Sequence, residues 1–443
     1  CSYLNCTKLF TPIHLTTTMN RFKTQLLALA TLFFPFTASA QYTIYPIPHT
    51  QTAGKGSKVA FTKNVNIVCD DAIDTYTRQR AQTILAEHGF TATISTTESN
   101  TLSNIYLGVA SGNGLTKAAA TKLQLNLSVL TKSGKFDRHV LSLTNAHDGV
   151  AQLIIIGENT DATFMGLASL EQMLDAETNQ MPTVTISDYA DLKERGIIEG
   201  FYGKPYSSEV RKDLLRFMMR NKMNCYVYGP KSDVYHSGKW TEAYPTELTE
   251  AQRKSGFVTQ QDLREFTDVA HQTKVSVVWA IHPGDDLLND NDVVEKIMGK
   301  FAKMHTLGFR QFAVFADDVN RPENQNDMNL TASRIADIQR SIESRWNTNS
   351  TNPTDIVKPL RFTPQIYCRN YAASQWQFNQ FFKALSSIPK DVTIYYTGGG
   401  VWSVPNNYDL NTVQYQFGRN VIWWWNYSCN DNGSGPSEIY PLD

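Results

Sequence analysis

The sequence predicts an α/β protein: a (β/α)8 TIM-like barrel preceded by a smaller α/β domain. Three observations support this fold class. Seven short apolar segments after residue 195 alternate with helical patterns or long loops, which is typical of a parallel sheet. Each segment ends in polar residues or glycines, as barrel strands do at the rim that carries an active site. The region before residue 190 has strand and helix patterns of its own.

Length and charge exclude several classes of protein. The chain has 443 residues and a formal net charge of −1, from 41 basic and 42 acidic residues. This balance argues against a strongly basic nucleic-acid-binding protein, so no nucleic-acid partner is expected. With 25 Gly and 17 Pro, the composition is not that of a collagen-like or disordered chain. Aromatic residues make up 11%, and they fill cores or form flat surfaces on which sugars stack.

The start of the chain carries a secretory-signal pattern. Met19 precedes the basic residues Arg21 and Lys23, and an apolar segment follows over residues 26–36. Ala38, Ser39 and Ala40 then form an A-x-A cleavage site. Eleven residues are too few to span a bilayer, although a short buried helix is the alternative. We expect an exported bacterial protein, periplasmic or extracellular, without a membrane anchor after cleavage.

These patterns divide the chain into four predicted segments. Residues 1–18 are interpreted as a mis-translated upstream segment, and residues 19–40 as the signal peptide. Residues 41–190 form the predicted N-terminal α/β domain. Residues 191–443 form the predicted catalytic barrel, which we expect to be truncated before its eighth strand because only seven strand patterns are present.

The N-terminal domain contains both strand patterns and helix patterns. Strands are predicted at residues 65–69, 105–109 and 153–156, where β-branched and apolar residues dominate. Amphipathic helices are predicted at 78–88 and 163–174, where apolar residues recur every three or four positions.

The predicted barrel strands are short and apolar. They cover residues 196–202, 224–228, 275–281, 311–316, 361–367, 392–397 and 420–425. Helical patterns between them include residues 207–221, 262–272 and 331–346. In a barrel, the C-terminal ends of these strands meet at one rim, so their polar residues are expected to converge on one pocket.

The cysteines do not indicate a metal site. Those after the signal pattern, Cys69, Cys225, Cys368 and Cys429, are far apart and lack C-x-x-C spacing. Disulfides are an alternative in an exported protein, but Cys225 and Cys368 lie in or at the end of apolar strand patterns. We therefore expect buried free thiols there.

Asp317 and Asp318 follow one predicted strand directly and suggest acid–base chemistry. Neighbouring carboxylates resist ionising together, so one pKa rises and the other falls. A turn or a helix cap would also explain an aspartate at this position. Asp285 and Asp286 form a rival pair, which shows that a doublet alone is weak evidence.

Adjacent aspartates suit an unusual glycosidase mechanism. Two carboxylates on opposite sides of a glycosidic bond are ~5–9 Å apart in most glycosidases, which neighbours on one strand end cannot easily achieve. In substrate-assisted enzymes the 2-acetamido group of the sugar supplies the nucleophile. One aspartate then orients that group, and the other protonates the leaving oxygen and later activates water.

Other polar rim residues fit sugar binding, each with a structural alternative. Lys231 suits a sugar hydroxyl or an anion, but it also fits a solvated surface. Asn426 and Asp431 suit hydroxyl groups or loop caps. The tryptophans at 423–425 suit either a sugar or the core, since alternate strand residues face opposite ways.

Six motifs occur in order between about residues 195 and 431. They are GIIEGFYGKPYS, YGPKSDVYH, FAVFADD, TPQIY, YYTGGGV and WWWNY, the last followed by Asp431. Together they resemble the bacterial and animal O-GlcNAcases, the β-N-acetylglucosaminidases of glycoside hydrolase family 84. The 42–190 region resembles the α/β domain that precedes the barrel in bacterial members.

The resemblance implies substrate-assisted catalysis with retention of configuration. Asp317 would orient the acetamido group and stabilise the oxazoline, and Asp318 would be the general acid/base. The implied substrate-binding residues are Gly200, Lys231, Asp317, Tyr367, Thr397, Val401, Trp424, Asn426 and Asp431. Tyr367 would support the acetamido reaction, and Asn426 and Asp431 would bind hydroxyls. No metal or organic cofactor is implied.

The predicted function is therefore a retaining exo-β-N-acetylglucosaminidase that removes terminal β-linked GlcNAc, including O-GlcNAc on Ser or Thr. Its expected partners are GlcNAc-containing glycans or glycoproteins, and the sequence contains no indication of oligomeric state. Two alternatives remain open at this stage. One is an endo-acting hyaluronidase-type glycosidase, and the other is an inactive carbohydrate-binding protein.

Overall fold

The computed structural model describes residues 42–56, 58–418 and 421–426. The predicted signal peptide, the segment before it, Cys429 and Asp431 lie outside these residues. The described residues belong to one compact unit. They form two seven-stranded sheets, one in the N-terminal region and one in the predicted barrel region.

The N-terminal sheet is mixed. Its strands are β1 (Thr50–Ala53), β2 (Asn64–Cys69), β3 (Thr91–Ser95), β4 (Ser103–Val109), β5 (Phe136–His147), β6 (Val150–Gly157) and β7 (Val184–Ala190). They lie in the order β1-β7-β5-β6-β4-β2-β3, with the β6-β4-β2-β3 half parallel and the β1-β7-β5-β6 half antiparallel.

Helices cover both faces of this sheet. They are α1 (Thr75–Glu87), α2 (Leu115–Lys122) and α3 (Thr160–Ala176), with a 3-10 turn at Ser128–Thr131. Asp74 and Asn159 cap α1 and α3 by accepting backbone N–H groups with their side chains. Because both faces are covered, the central strand β4 is buried along its whole length. The strands and helices predicted for this domain are all present.

The second sheet is parallel throughout and curled. Its strands are β8 (Gly196–Glu199), β9 (Cys225–Tyr228), β10 (Ser276–Ile281), β11 (Phe312–Phe315), β12 (Arg361–Thr363), β13 (Thr393–Tyr396) and β14 (Val421–Trp423). Neighbours in space are neighbours in sequence, as the strand order of a (β/α)8 barrel requires. The predicted fold class is thus confirmed.

Helices follow the strands on the outer side. They are α4 (Ser208–Arg220), α5 (Glu250–Lys254), α6 (Gln260–Thr273), α7 (Asp286–Asn289), α8 (Val293–His305), α9 (Gln325–Ile342), α10 (Gln375–Leu385) and α11 (Asn407–Phe417). A π-helical turn at Glu343–Asn347 extends α9, and 3-10 turns lie at Pro353–Asp355 and Arg369–Tyr371. No described helix is long and apolar enough to cross a membrane.

Alternation along the strands separates two apolar layers. On β10, Trp279 faces the helices and packs against Phe301 of α8, at 6.3 Å between ring centroids. Its neighbours Val278 and Ala280 face the inner layer together with Phe315 of β11. The inner layer of this curled sheet therefore forms the floor beneath the rim.

Three predicted strands end earlier than expected. Residues 196–202 and 420–425 were predicted, but β8 ends at Glu199 and β14 at Trp423. The pattern predicted residues 361–367, but β12 ends at Thr363. Pro364 follows and has no N–H group to donate to the neighbouring strand, so the ladder stops there. The remaining residues carry Tyr367 onward to the rim.

The cysteine prediction is confirmed for the three cysteines among the described residues. Cys225 and Cys368 are buried free thiols, and so is Cys69.

A buried ion pair anchors the first barrel strand. The carboxylate of Glu199, at the end of β8, is fully buried and accepts hydrogen bonds from Arg211 Nε (2.7 Å) and Nη2 (2.8 Å). The Tyr226 hydroxyl (2.6 Å) and the Tyr206 backbone N–H (3.0 Å) complete its partners. Because Gly200 comes next, this cluster also fixes the chain where it enters the rim.

Replacing Arg211 by methionine is expected to destabilise the fold by about 3–5 kcal/mol, because the buried Glu199 carboxylate then loses its cation. Urea unfolding at pH 7 measures the change in unfolding free energy. The matched control is Arg216→Met on the same helix, whose exposed pair with Asp213 contributes little. Equal effects of the two substitutions would contradict this account of the Glu199 cluster.

Candidate active site

The two aspartates after β11 have different surroundings. Asp317 is 7% exposed, whereas Asp318 lies at the surface. Asp318 has a φ of 59°, in the left-handed region that non-glycine residues seldom occupy. This local reversal of the chain separates the two side chains, so one carboxylate enters the floor of the site and the other faces its opening. Such backbone strain is common at functional sites.

Asp317 forms a buried ion pair with Lys231, which follows β9. Lys231 Nζ lies 2.8 Å from Asp317 Oδ2, and both side chains are nearly inaccessible. Burial is the largest single influence and raises the pKa of Asp317, but the charge of Lys231, together with smaller contributions that include its hydrogen bond, holds the pKa below its usual value. Asp317 is therefore a carboxylate at neutral pH.

A glycine allows Lys231 to reach this position. A Cβ on Gly229 would lie 2.6 Å from a ring atom of Phe315, at the end of β11. A side chain here would push the end of β9 away from the floor of the site. The close approach of backbone and ring thus lets Lys231 extend past β10 to the aspartate.

Two neutral histidines lie beside the ion pair. His282 Nδ1 donates to the Phe315 carbonyl at 2.9 Å, and His236 Nδ1 donates to the Ala280 carbonyl at 2.7 Å. Burial, and next the charge of Lys231, lower the pKa of both rings, that of His236 to about 3. At neutral pH they add no charge beside Asp317. Neither histidine was predicted from the sequence to be a site residue, although His282 directly follows β10.

Three tyrosine hydroxyls surround Asp318. Tyr367 and Tyr371 donate to Oδ1 at 3.0 and 3.2 Å, and Tyr202 donates to Oδ2 at 3.0 Å. Burial, followed by the charge of Asp318, raises the pKa of Tyr367 far above its usual value, so it remains a donor. Of the three, only Tyr367 was predicted. Tyr202 lies in the GIIEGFYG motif, which was a usable signal, but nothing in the sequence marked Tyr371.

Several residues predicted to bind the sugar contact one another near the two aspartates. A Cβ on Gly200 would lie 2.7 Å from Trp424 Cζ2, so only glycine fits against that indole. Asn426 Nδ2 donates to the Val401 carbonyl at 2.9 Å, and the Thr397 N–H donates to the Tyr367 carbonyl at 3.0 Å.

The three consecutive tryptophans have separate environments. Trp424 packs against Phe315 on the inner side, with ring centroids 5.2 Å apart. Trp423 packs on Tyr396 on the outer side, in accordance with the core interpretation. Trp425 is exposed.

The rival pair, Asp285 and Asp286, forms hydrogen bonds that stabilise the loop after β10. The Asp285 carboxylate accepts the Asn320 backbone N–H at 3.0 Å and the Asn320 side-chain amide at 2.7 Å. Asp286 accepts the indole N–H of Trp240 at 3.1 Å. Among the described residues, no group of three or more His, Cys, Asp or Glu side chains is placed to hold a metal ion.

The ion pair makes a pH-dependent prediction. In Lys231→Met, buried Asp317 loses its cation, so the protein should lose about 3–5 kcal/mol of stability at pH 7. The wild-type pKa of Asp317 is depressed, so the stability that it contributes is present above the unfolded value of ~3.9 and is lost as pH falls. Urea unfolding at pH 7 and pH 4 should therefore show a smaller deficit at pH 4, where the variant's Asp317 is protonated.

The control for this experiment is Lys239→Met, which removes an exposed lysine and should change stability little at either pH. A deficit of Lys231→Met that is the same at both pH values would contradict the ionised state of Asp317.

Comparison with known proteins relates this geometry to a family. Residues 195–439 match the family model described as beta-N-acetylglucosaminidase. Residues 41–189 match the model described as glycosyl hydrolase family 20, domain 2. The protein O-GlcNAcases of Rattus norvegicus and Mus musculus are each 26% identical to the chain over 240 residues, which are 53% of this chain and 24% of theirs. The chain thus spans about a quarter of the length of these relatives.

Solved structures agree with this relationship. CpGH84D is 29% identical, with a TM-score of 0.73, and the match covers 88% of this chain and 61% of that one. CpGH84B is 27% identical, with a TM-score of 0.68, over 88% and 62%. The first family model covers more than half of the chain. The resemblance inferred from the sequence is confirmed, and the chain belongs to the beta-N-acetylglucosaminidase family, glycoside hydrolase family 84.

Proposed function

We propose that the protein is a retaining exo-β-N-acetylglucosaminidase that uses the acetamido group of its substrate as the nucleophile. One observation carries this proposal: Asp317 Oδ1 is buried and has no hydrogen-bond partner among the described residues, whereas Oδ2 is paired with Lys231. A buried, ionised acceptor without a donor is costly unless a ligand supplies one. The N–H of a 2-acetamido group is a donor of the required kind.

In the first step, Asp317 accepts the acetamido N–H and directs the carbonyl oxygen towards C1 of the sugar. The new C1–O bond forms as the bond to the leaving oxygen breaks, and Asp318 donates its proton to that oxygen. The product is an oxazolinium ion, the oxazoline protonated on nitrogen, and its positive charge is stabilised by the carboxylate of Asp317. Lys231 keeps Asp317 ionised during this step.

In the second step, Asp318 acts as general base. It removes a proton from a water molecule, which attacks C1 and opens the oxazoline, so that configuration is retained over two inversions. The hydroxyls of Tyr202, Tyr367 and Tyr371 hold the Asp318 carboxylate in place. A carboxylate at the mouth of the site, rather than in its floor, suits exchange of the leaving group for water.

The walls fit a single terminal sugar. Trp424 lies beneath the site against Gly200, and an indole face offers a flat apolar surface to a pyranose ring. Thr397 and Val401 form the side wall, and we assign hydroxyl binding to Asn426 and Asp431. This assignment of Gly200, Lys231 and the other predicted residues extends the family resemblance to this chain.

We also infer where the activity takes place. Residues 191–443 would carry the catalysis and residues 41–190 the accessory α/β domain. The signal pattern over residues 19–40 favours export, so terminal GlcNAc on glycans or glycoproteins outside the cytoplasm would be the substrate.

Asp318→Asn tests the proposal because its effect should depend on the leaving group. For a β-N-acetylglucosaminide with a poor leaving group, such as an alkyl glycoside, kcat/KM should fall by about 10²–10⁴. For a dinitrophenyl leaving group, which departs without a proton, the fall should be much smaller. Asp213→Asn, on the exposed face of α4, serves as the control and should retain full activity with both substrates.

An equal loss of kcat/KM on both substrates would contradict the role of Asp318. Release of oligosaccharides instead of free GlcNAc from a polymer would contradict exo action. Binding of GlcNAc without any turnover would contradict enzymatic function altogether.

A further inference from the structure

A large cavity opens at the solvent-exposed residue Asp318. Its volume is about 1040 Å³, at the upper end of the ~300–1,000 Å³ range of small-molecule sites. Its lining comes from the loops after β10, β11 and β12, and it includes Asp318 but neither Asp317 nor Trp424. It is therefore distinct from the predicted sugar pocket, and the two share the general acid as their boundary.

The position of Asp318 decides what the cavity holds. A general acid must lie within hydrogen-bond reach of the oxygen that it protonates, and that oxygen joins the departing group to C1. With GlcNAc on the Asp317 side of this boundary, the departing group extends to the other side. The cavity is on that side, so it is the space into which the leaving group projects.

The cavity is held open by bonds between its own loops. Gln377 of α10 donates to the Pro322 carbonyl at 2.9 Å, which joins the loops after β12 and β11. The Arg321 guanidinium donates to the Tyr371 carbonyl and lies over the Tyr371 ring. Because Tyr371 also donates to Asp318, the cavity wall and the general acid are parts of one hydrogen-bonded assembly.

The lining combines one exposed aromatic ring with hydrogen-bonding side chains. Trp376, near the start of α10, is 56% exposed. The other lining side chains include the amides of Asn289 and Asn320 and three further carboxylates, from Asp285, Glu323 and Asp327. A flat indole with planar acceptors and donors around it suits a ring that carries hydroxyl groups. The cavity's other apolar lining residues, Leu288, Val319 and Ala373, are outnumbered by polar ones, which favours a hydroxylated ring over the side chains of a peptide.

The charges of the lining are unequal. Four carboxylates, including Asp318, face the cavity against one guanidinium, that of Arg321, which is already bonded to the Tyr371 carbonyl. The lining contains no lysine. An anionic leaving group would meet like charges at short range, which is unfavourable in a partly enclosed site.

We propose that this cavity is the leaving-group subsite, that it takes an uncharged pyranose stacked on Trp376, and that its carboxylates disfavour a uronate. The inference rests on the proposed function and specifies its substrate: terminal GlcNAc linked to a neutral sugar of a glycan.

Three substrates separate this inference from the proposed function. N-acetylglucosaminyl β-fluoride has a leaving group too small to enter the cavity, so its turnover tests the sugar pocket alone. A GlcNAc–galactose disaccharide places a neutral ring in the cavity, and a GlcNAc–glucuronate disaccharide places an anionic one there. Absence of turnover of the fluoride would overturn the proposed function, whereas the results below concern only the cavity.

In Trp376→Ala, the kcat/KM for the galactose disaccharide divided by that for the fluoride should fall roughly two- to tenfold, as expected for loss of one stacking contact. Phe217→Ala, which removes an exposed ring on α4 away from the cavity, should leave the ratio unchanged. A ratio that Trp376→Ala does not alter would overturn the stacking role.

The wild-type enzyme should cleave the glucuronate disaccharide on the order of tenfold more slowly than the galactose disaccharide. Glu323→Gln should narrow this difference by accelerating the glucuronate substrate only. Equal rates on the two disaccharides in the wild type would overturn the charge selection. A higher kcat/KM on a peptide carrying O-GlcNAc than on either disaccharide, unaffected by Trp376→Ala, would overturn the glycan assignment in favour of a peptide.

Discussion

The buried ion pair between Lys231 and Asp317 is the constraint on which the rest of the site depends. The two residues come from the ends of β9 and β11, so the 2.8 Å contact crosses the end of β10 between them. Without the ammonium group, burial would favour protonated Asp317, which could not act as the charged acceptor of the acetamido N–H that the proposed mechanism requires. His282, at the end of β10, is kept neutral by burial and by the same lysine. Burial and this one cation together thus set the protonation states of the floor.

The pair also explains how two adjacent aspartates can perform different tasks. The left-handed backbone at Asp318 turns its side chain out of the floor, into a ring of tyrosine hydroxyls, while Asp317 remains beside Lys231. One carboxylate is fixed and shielded from solvent, and the other is exposed, where the proposed mechanism needs it to exchange protons with a leaving group or water. The wall of the cavity beside Asp318 is linked to this exposed carboxylate, because Arg321 donates to the Tyr371 carbonyl and the Tyr371 hydroxyl donates to Asp318.

Much of this arrangement could be predicted because strand ends in a barrel converge, whatever their separation in sequence. Lys231, Asp317 and Tyr367 follow three different strands and meet at the rim. Local periodicity does not specify where a long side chain ends, so Tyr371, four residues after Tyr367, was not predicted to contact Asp318. β12 ends early because of Pro364. This proline is visible in the sequence, but the apolar pattern around it led to the prediction of a longer strand. Alternation alone does not say which face of the sheet Trp424 takes, and the structure places its indole on the inner side against Phe315.

The central claim is that Asp317, kept ionised by Lys231, receives the acetamido N–H of the reacting sugar. A crystal structure with a thiazoline analogue of the oxazoline, in which sulfur replaces the ring oxygen, tests it most directly. We expect the ring nitrogen within ~2.7–3.2 Å of Asp317 Oδ1, with the Lys231 contact to Oδ2 retained. A ring nitrogen that faces another residue, or an analogue that binds with the ion pair broken, would contradict the account.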